Sequence, residues 1–213
     1  MALLIFDIDG TLLDTRRVTV PAIRRTFSRF NLPQPEEADI CGFFGRSVAE
    51  YEAWLAAQCP AGMMDDIVAE TNACELRMIG EEGRLYPGVR LVLETFRQDG
   101  HTLAICSNGP EDYVQEFLDA HDLRAFFEMV QARGARLDDK TVLVREILDT
   151  LPQRPAFVIG DRRDDIEAAH ANGARAIGAA YGFAGPDELA AADGVVSSPA
   201  HIPAAVEAIL RTM

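Results

Sequence analysis

Lysine is nearly missing from this chain of 213 residues: of twenty basic residues nineteen are arginine, and the single ammonium group is at Lys140. Positive charge as a whole is scarce, with 34 acidic residues and a formal net charge of −14. Proteins that coat nucleic acid or an anionic membrane need clustered positive charge, so neither partner is expected. Cysteine is sparse too. Cys41, Cys59, Cys74 and Cys106 are widely spaced and form no CxxC pair, which signals neither a zinc site nor a redox motif and leaves buried free thiols. His101, His121, His170 and His201 share no metal-ligand spacing. Long apolar runs are absent as well. The run ahead of Asp7 ends after a few residues and has no basic segment before it. It reads as neither a signal peptide nor a membrane span, and a cytoplasmic location is the default.

What is present is the composition of a soluble globular protein, 48% hydrophobic, with length for one large domain or a domain carrying a smaller insert. Short apolar runs at Ala2 to Phe6, Thr102 to Cys106 and Ala156 to Ile159, and weaker ones at Ala174 to Ala179 and Val195 to Val196, lack the polar alternation of a half-wet sheet. They predict strands buried on both faces. Helical patterns lie between them: Arg90 to Gln98, the segment PEDYVQEFLDAH opened by Pro110, KTVLVREILDTL, and DIEAAHANG closed by Gly173. Alternation of strand and helix predicts an α/β fold, a Rossmann-like parallel sheet with helices on both faces. From Thr15 to Gly83 the pattern is helical throughout, in VPAIRRTFSRFNL, SVAEYEAWLAAQC and MMDDIVAETNACELRMI. Residues 15–83 therefore read as an inserted all-helical unit on a core built from 1–14 and 84–213. Within the insert, Tyr51, Trp54 and Leu55 at helical spacing read as packing residues.

Ligands of open parallel sheets sit beyond the carboxyl ends of the strands. The first strand is followed there by Asp7, Asp9 and Thr11, the second by Ser107 and Asn108, and the run Ala156 to Ile159 by Asp161, Asp164 and Asp165. Lys140 opens a helix. Two carboxylates as close as Asp7 and Asp9 raise each other's pKa unless something neutralises them.

These segments, FDIDGTLLDT, CSNG, Lys140 and IGDRRDDIEAAHANG, resemble in order the four motifs of the haloacid dehalogenase superfamily, in its phosphatase branch with a helical cap. LYPGV and AAYGFAGPDEL are similar to the phosphoglycolate phosphatase-like group, so the resemblance spans the whole chain. It implies a phosphoric monoester hydrolase acting on a small phosphorylated metabolite, with 2-phosphoglycolate as the first candidate. Asp7 is then the nucleophile that forms an aspartyl-phosphate. Mg²⁺ would be held by Asp7, Asp161 and the backbone carbonyl of Asp9, supported by Asp165, which alternatively orients Lys140. Asp9 would protonate the leaving alcohol and then activate water. The dehalogenases that attack carbon lack an acid at that place, so Asp9 points to phosphoryl transfer. Thr11, Ser107 and backbone amides near Asn108 would bind the phosphoryl oxygens, and Lys140 would steady nucleophile and phosphoryl group.

Two departures from the family pattern stand out. Thr141 follows Lys140 where many relatives have proline, and Arg162 replaces a small polar residue. In the insert, Arg46 of GFFGRS is a candidate for gripping a substrate carboxylate or second phosphate, the alternative being a rim ion pair. Asp164 reads as a solvated neighbour of Asp165. A mutase of the β-phosphoglucomutase type is the second reading, although its fourth motif has Glu-Asp where this chain has Gly160-Asp161. A non-catalytic phosphate-binding module is the third. A monomer or a homodimer is expected.

Overall fold

A computed structural model describes residues 1–60, 62–134, 139–185 and 187–213. Strands β1 (Leu3–Phe6), β2 (Thr102–Ser107), β3 (Met129–Ala132), β4 (Ala156–Gly160), β5 (Arg175–Ala179) and β6 (Gly194–Val196) form a six-stranded sheet in the order β3-β2-β1-β4-β5-β6. Every neighbouring pair is parallel. Successive side chains of a strand point to opposite faces. Leu4 and Phe6 accordingly join one apolar cluster with Leu103, Ile105 and Phe157, while Leu3 and Ile5 join another with Ala104, Cys106 and Val158. Both faces are covered, which is why these strands show no polar alternation. The chain builds outward from β1 through β2 to β3, then returns to lay β4 on β1's other side. That reversal puts a topological switch point at the ends of β1 and β4, where a ligand crevice forms.

β3 lies outside the apolar runs read as strands. Its sequence MVQA is partly buried along its whole length, and it sits at the sheet edge with β2 as its neighbour, so no apolar run is required of it. The expected core helices are present as α5 (Val89–Gln98), α6 (Glu111–Ala120), α7 (Lys140–Thr150) and α8 (Arg163–Ala171), and α9 (Ile202–Leu210) is added at the end of the chain.

Helices α1 (Arg16–Arg29), α2 (Glu37–Cys41), α3 (Val48–Ala57) and α4 (Met64–Glu81) all fall between β1 and β2. They carry their own apolar cluster of Ile23, Phe27, Ile40, Phe44, Leu55 and Ile67. α1 packs on α4, and α4 on α6, so the insert is seated on the core beside the switch point. The start of α3 is set by a capping box: Glu50 N donates to Ser47 Oγ, and Ser47 N donates back to the Glu50 carboxylate. Among the described residues no helix is long and apolar enough to cross a membrane.

Candidate active site

β1 delivers Asp7 to the switch point, buried at 2% exposure, and β4 delivers Asp161, fully buried. α7 contributes Lys140. Asp139 caps this helix by accepting from Val142 N at 3.2 Å, which puts Lys140 in its first turn with its side chain directed inward. The Lys140 ammonium lies 2.9 Å from Asp7 Oδ1 and 2.5 Å from Asp165 Oδ1, and all three side chains are buried. Thr141 in place of proline leaves this helix start intact. Asp165 Oδ2 accepts from Arg162 N at 3.0 Å, and a Cβ on Gly160 would coincide with the Asp165 carboxylate. Position 160 is therefore glycine because Asp165 occupies that space.

Burial pushes the Asp7 carboxyl well above the usual range; Lys140 opposes this, while Asp165, Asp9 and Asp161 add to it. Asp161 is also raised by burial, against the pull of the Phe183 amide, which donates to its Oδ2 at 2.5 Å. Burial alone would depress Lys140, yet Asp165 and Asp7 hold it well above the ordinary lysine value. Two cations thus serve three clustered carboxylates, the Lys140 ammonium between Asp7 and Asp165 and the Arg162 guanidinium toward Asp161, and burial still leaves all three raised. Carboxylate oxygens of Asp7, Asp161 and Asp165 lie within 4.8 Å of one another, and Asp7 Oδ2 and Asp161 Oδ1 have no hydrogen-bond partner. An all-oxygen set with unpartnered lone pairs suits a hard divalent cation such as Mg²⁺, which would also bring the charge the cluster lacks.

Asp9 stands apart from that cluster. Its Oδ1 accepts from Thr15 Oγ at 2.7 Å and from the Tyr113 hydroxyl at 2.8 Å. Burial raises its pKa, and these two hydrogen bonds moderate the rise. Thr11 and Ser107 are fully buried near the strand ends, Thr11 Oγ without a partner and Ser107 Oγ accepting from Gly109 N at 3.1 Å.

Asn108 does something the sequence did not suggest. Its side-chain amide donates to Gly45 O of the insert at 2.8 Å and to Asp164 at 2.7 Å. Asp164 is therefore a partly buried brace for Asn108 rather than a solvated residue, and Asp165 is the one that joins the acidic cluster. Arg162 is buried, donates to Phe183 O at 2.8 Å and lies 3.4 Å from Glu188. Arg46 is exposed at the rim, 3.8 Å from Glu50 and 5.4 Å from the centre of the Phe43 ring.

Between insert and core lies a cavity of about 290 Å³, bounded on the core side by Asp9 and Tyr113. The insert lines it with Thr19 from α1, Arg46, Tyr51 from α3, and Asn72 and Glu75 from α4. Tyr51 thus faces the cavity as well as packing on Trp54, which corrects its reading as a purely structural residue. Glu75 carried no sequence signal: within an amphipathic helix it looks like any other acidic residue, and its burial depends on packing against other elements. Thr15 and Tyr113 were silent for the same reason, since their role depends on contact with Asp9.

Comparison with known proteins agrees with this arrangement. The model of the haloacid dehalogenase-like hydrolase family matches residues 4–179. A phosphoglycolate phosphatase from Pasteurella multocida (strain Pm70) is 29% identical over 197 residues, covering 84% of this chain and 85% of that protein. A 5'-nucleotidase from Pseudomonas aeruginosa is 28% identical over 195 residues, covering 88% and 86%. The crystal structure of a predicted phosphoglycolate phosphatase from Haemophilus somnus 129PT shares the fold, with a TM-score of 0.87 at 22% identity over 97% of this chain and 98% of that one. With four motif segments brought to one switch point and the family model spanning most of the sequence, the chain belongs to the haloacid dehalogenase-like hydrolases.

Proposed function

We propose that the protein is a Mg²⁺-dependent phosphatase of small phosphorylated metabolites, working through an aspartyl-phosphate on Asp7, with residues 15–83 as a cap over a core of 1–14 and 84–213. The observation that carries this reading is the state of Asp7. It is buried, one oxygen is paired with Lys140, and the other is unpartnered. A carboxylate so placed is a nucleophile in a site that excludes water.

Asp7, Asp161 and Asp165, with the Asp9 carbonyl, would hold the metal; when bound, Mg²⁺ neutralises the carboxylates and polarises the phosphoryl oxygens. Lys140 keeps Asp7 oriented and offers a point charge to the transferring group. Thr11, with its unpartnered hydroxyl, and Ser107 supply donors for phosphoryl oxygens. Asp9, steered by Thr15 and Tyr113 toward the cavity, first gives its proton to the leaving oxygen. It then takes one from the water that attacks the aspartyl-phosphate. The cap closes over this chemistry and excludes bulk water.

The names of the relatives agree on phosphomonoester hydrolysis and differ in the ester, one a phosphoglycolate phosphatase and one a 5'-nucleotidase. 2-Phosphoglycolate is therefore the reference ester for assay, and the cavity has to choose among esters. The mutase reading is weakened by Gly160, because the Asp165 carboxylate fills the space a glutamate's Cβ needs. Inorganic phosphate release from a panel of monoesters with Mg²⁺ tests the proposal. Asp7→Asn should lower kcat by at least about a thousandfold. Unchanged turnover in that variant removes Asp7 as nucleophile, and interconversion of sugar phosphates without phosphate release would restore the mutase.

A further inference from the structure

The cavity beside Asp9 has a chemistry of its own. It opens on the acid/base side of the site, so in the phosphatase reading, on which this inference rests, it receives the part of the ester that leaves as an alcohol. Its volume of about 290 Å³ lies at the small end of ordinary ligand pockets. A two-carbon leaving group would fill a fraction of it.

Its charge is one-sided. Among the described lining residues, Asp9, Glu52, Glu75 and Asp112 are acidic, and Arg46 is the cation that faces them. Arg46 already stands 3.8 Å from Glu50 and keeps its side chain 45% exposed. A leaving group that ends in a carboxylate therefore meets several like charges in a partly desolvated space, with its candidate counter-ion engaged at the rim. Hydroxyl groups meet the opposite situation. Thr19, Tyr51, Asn72 and Glu75 bring hydroxyl, amide and carboxylate groups from three separate helices to one wall.

Glu75 is central among them. It is buried at 9% exposure, with the Thr19 hydroxyl lining the same wall, and lies 3.5 Å from the Tyr51 hydroxyl. That contact is long, so the carboxylate keeps accepting capacity for a ligand. Burial pushes its carboxyl up to about 7, which leaves it ionised at pH 8. The aromatic residues do not form a base-stacking slot: Phe43 is stacked on Trp54 at 5.0 Å and also carries the Arg46 guanidinium.

We infer that the ester hydrolysed here is the monophosphate of a neutral polyol, a sugar or sugar-alcohol phosphate, and that Glu75 selects it by accepting hydrogen bonds from leaving-group hydroxyls while repelling a leaving-group carboxylate. Sites built to hydrogen-bond a substrate hydroxyl discriminate strongly against analogues that lack it. Glu75 is thus a specificity residue, distinct from Asp7 and Asp9, which carry the chemistry.

The test uses the full chain with Mg²⁺ at pH 8, measuring kcat/KM for 2-phosphoglycolate, glycerol phosphate, ribose 5-phosphate, glucose 6-phosphate and p-nitrophenyl phosphate. The neutral polyol phosphates should exceed 2-phosphoglycolate by about tenfold or more. Glu75→Gln should shrink that ratio to within about threefold, chiefly through KM, because it keeps the shape and removes the charge. A Glu75 with only a structural role would change stability and leave the ratio as it was, and that result overturns the inference. Should Glu75→Gln fail to fold, Tyr51→Phe provides the second reading, raising KM for the polyol esters more than for 2-phosphoglycolate. A preference for 2-phosphoglycolate that disappears in Arg46→Ala assigns a carboxylate grip to Arg46 and also overturns the inference. Absence of phosphate release from every ester, the aryl phosphate included, is a different failure: it overturns the phosphatase reading and this inference with it.

Discussion

A lone lysine in an arginine-rich chain has a physical reason at its position. Lys140 is buried to 2% exposure between Asp7 and Asp165, a space that takes a compact ammonium on a flexible stem and not a planar guanidinium with five donors. Glu75 shows the converse, a buried carboxylate whose near neighbours are neutral hydroxyls. Its folded pKa of about 7 lies above its ordinary value of 4.5. The native state then binds the proton more tightly than the unfolded chain, so this residue's contribution falls as pH rises from about 4.5 to about 7. Glu75→Gln removes the penalty. The variant should match the parent at pH 4 and be more stable by up to about 3 kcal/mol at pH 8, read by urea denaturation at both values. Parallel pH profiles for parent and variant would refute this origin of the shift.

At the scale of elements, the segment between α2 and α3 ties the helical insert to the sheet and its helices. Gly45 O accepts from Asn108, Phe44 meets Phe183 edge-on at 4.7 Å, and Phe183 in turn is held by Arg162 through its carbonyl and by Asp161 through its amide. The unusual Arg162 thus braces the chain on which the insert rests. Gly45 has φ +73°, and a Cβ there would stand 2.8 Å from Arg162 Cγ. Gly45→Ala accordingly combines left-handed strain of about 1–2 kcal/mol with a close contact, and should loosen this docking. The expected result is a KM raised about tenfold with a smaller change in kcat, together with a Tm lowered by a few degrees, from steady-state kinetics and calorimetry. Unaltered KM would show that the contact is not needed for substrate capture.

At the scale of the molecule, a chain of net charge −14 concentrates three buried carboxylates near the ends of β1 and β4, against the Lys140 ammonium and the Arg162 guanidinium. A cation that binds this folded arrangement and not the unfolded chain stabilises it by mass action, by about 2.7 kcal/mol at a hundredfold excess over Kd. For a chain of this length that corresponds to a Tm rise of roughly 5–10 °C. Mg²⁺ should produce the rise, EDTA should reverse it, and Asp161→Asn should abolish it. An identical Tm with Mg²⁺ and with EDTA would remove the cluster as a metal site.

How much of this was readable beforehand follows from the range of the forces involved. Apolar runs predicted β1, β2, β4, β5 and β6, because strands buried on both faces must be apolar at every position, whereas β3 escaped because an edge strand need not be. The acidic and basic groups of the site were legible because each follows a strand or opens a helix, and a parallel sheet gathers such positions at one edge. By itself the sequence determined the α/β core and the helical insert, and it put Asp7, Asp9, Lys140 and Asp161 forward as candidates at strand ends and a helix start. The tertiary structure alone decided which of two adjacent aspartates joins the cluster, that Asn108 holds Gly45 of the insert while Arg162 holds Phe183, and that Glu75 faces a cavity beside Asp9. Those facts depend on side chains tens of residues apart meeting across packed elements. Periodicity reports which face of an element is buried, and it carries no record of what that face meets.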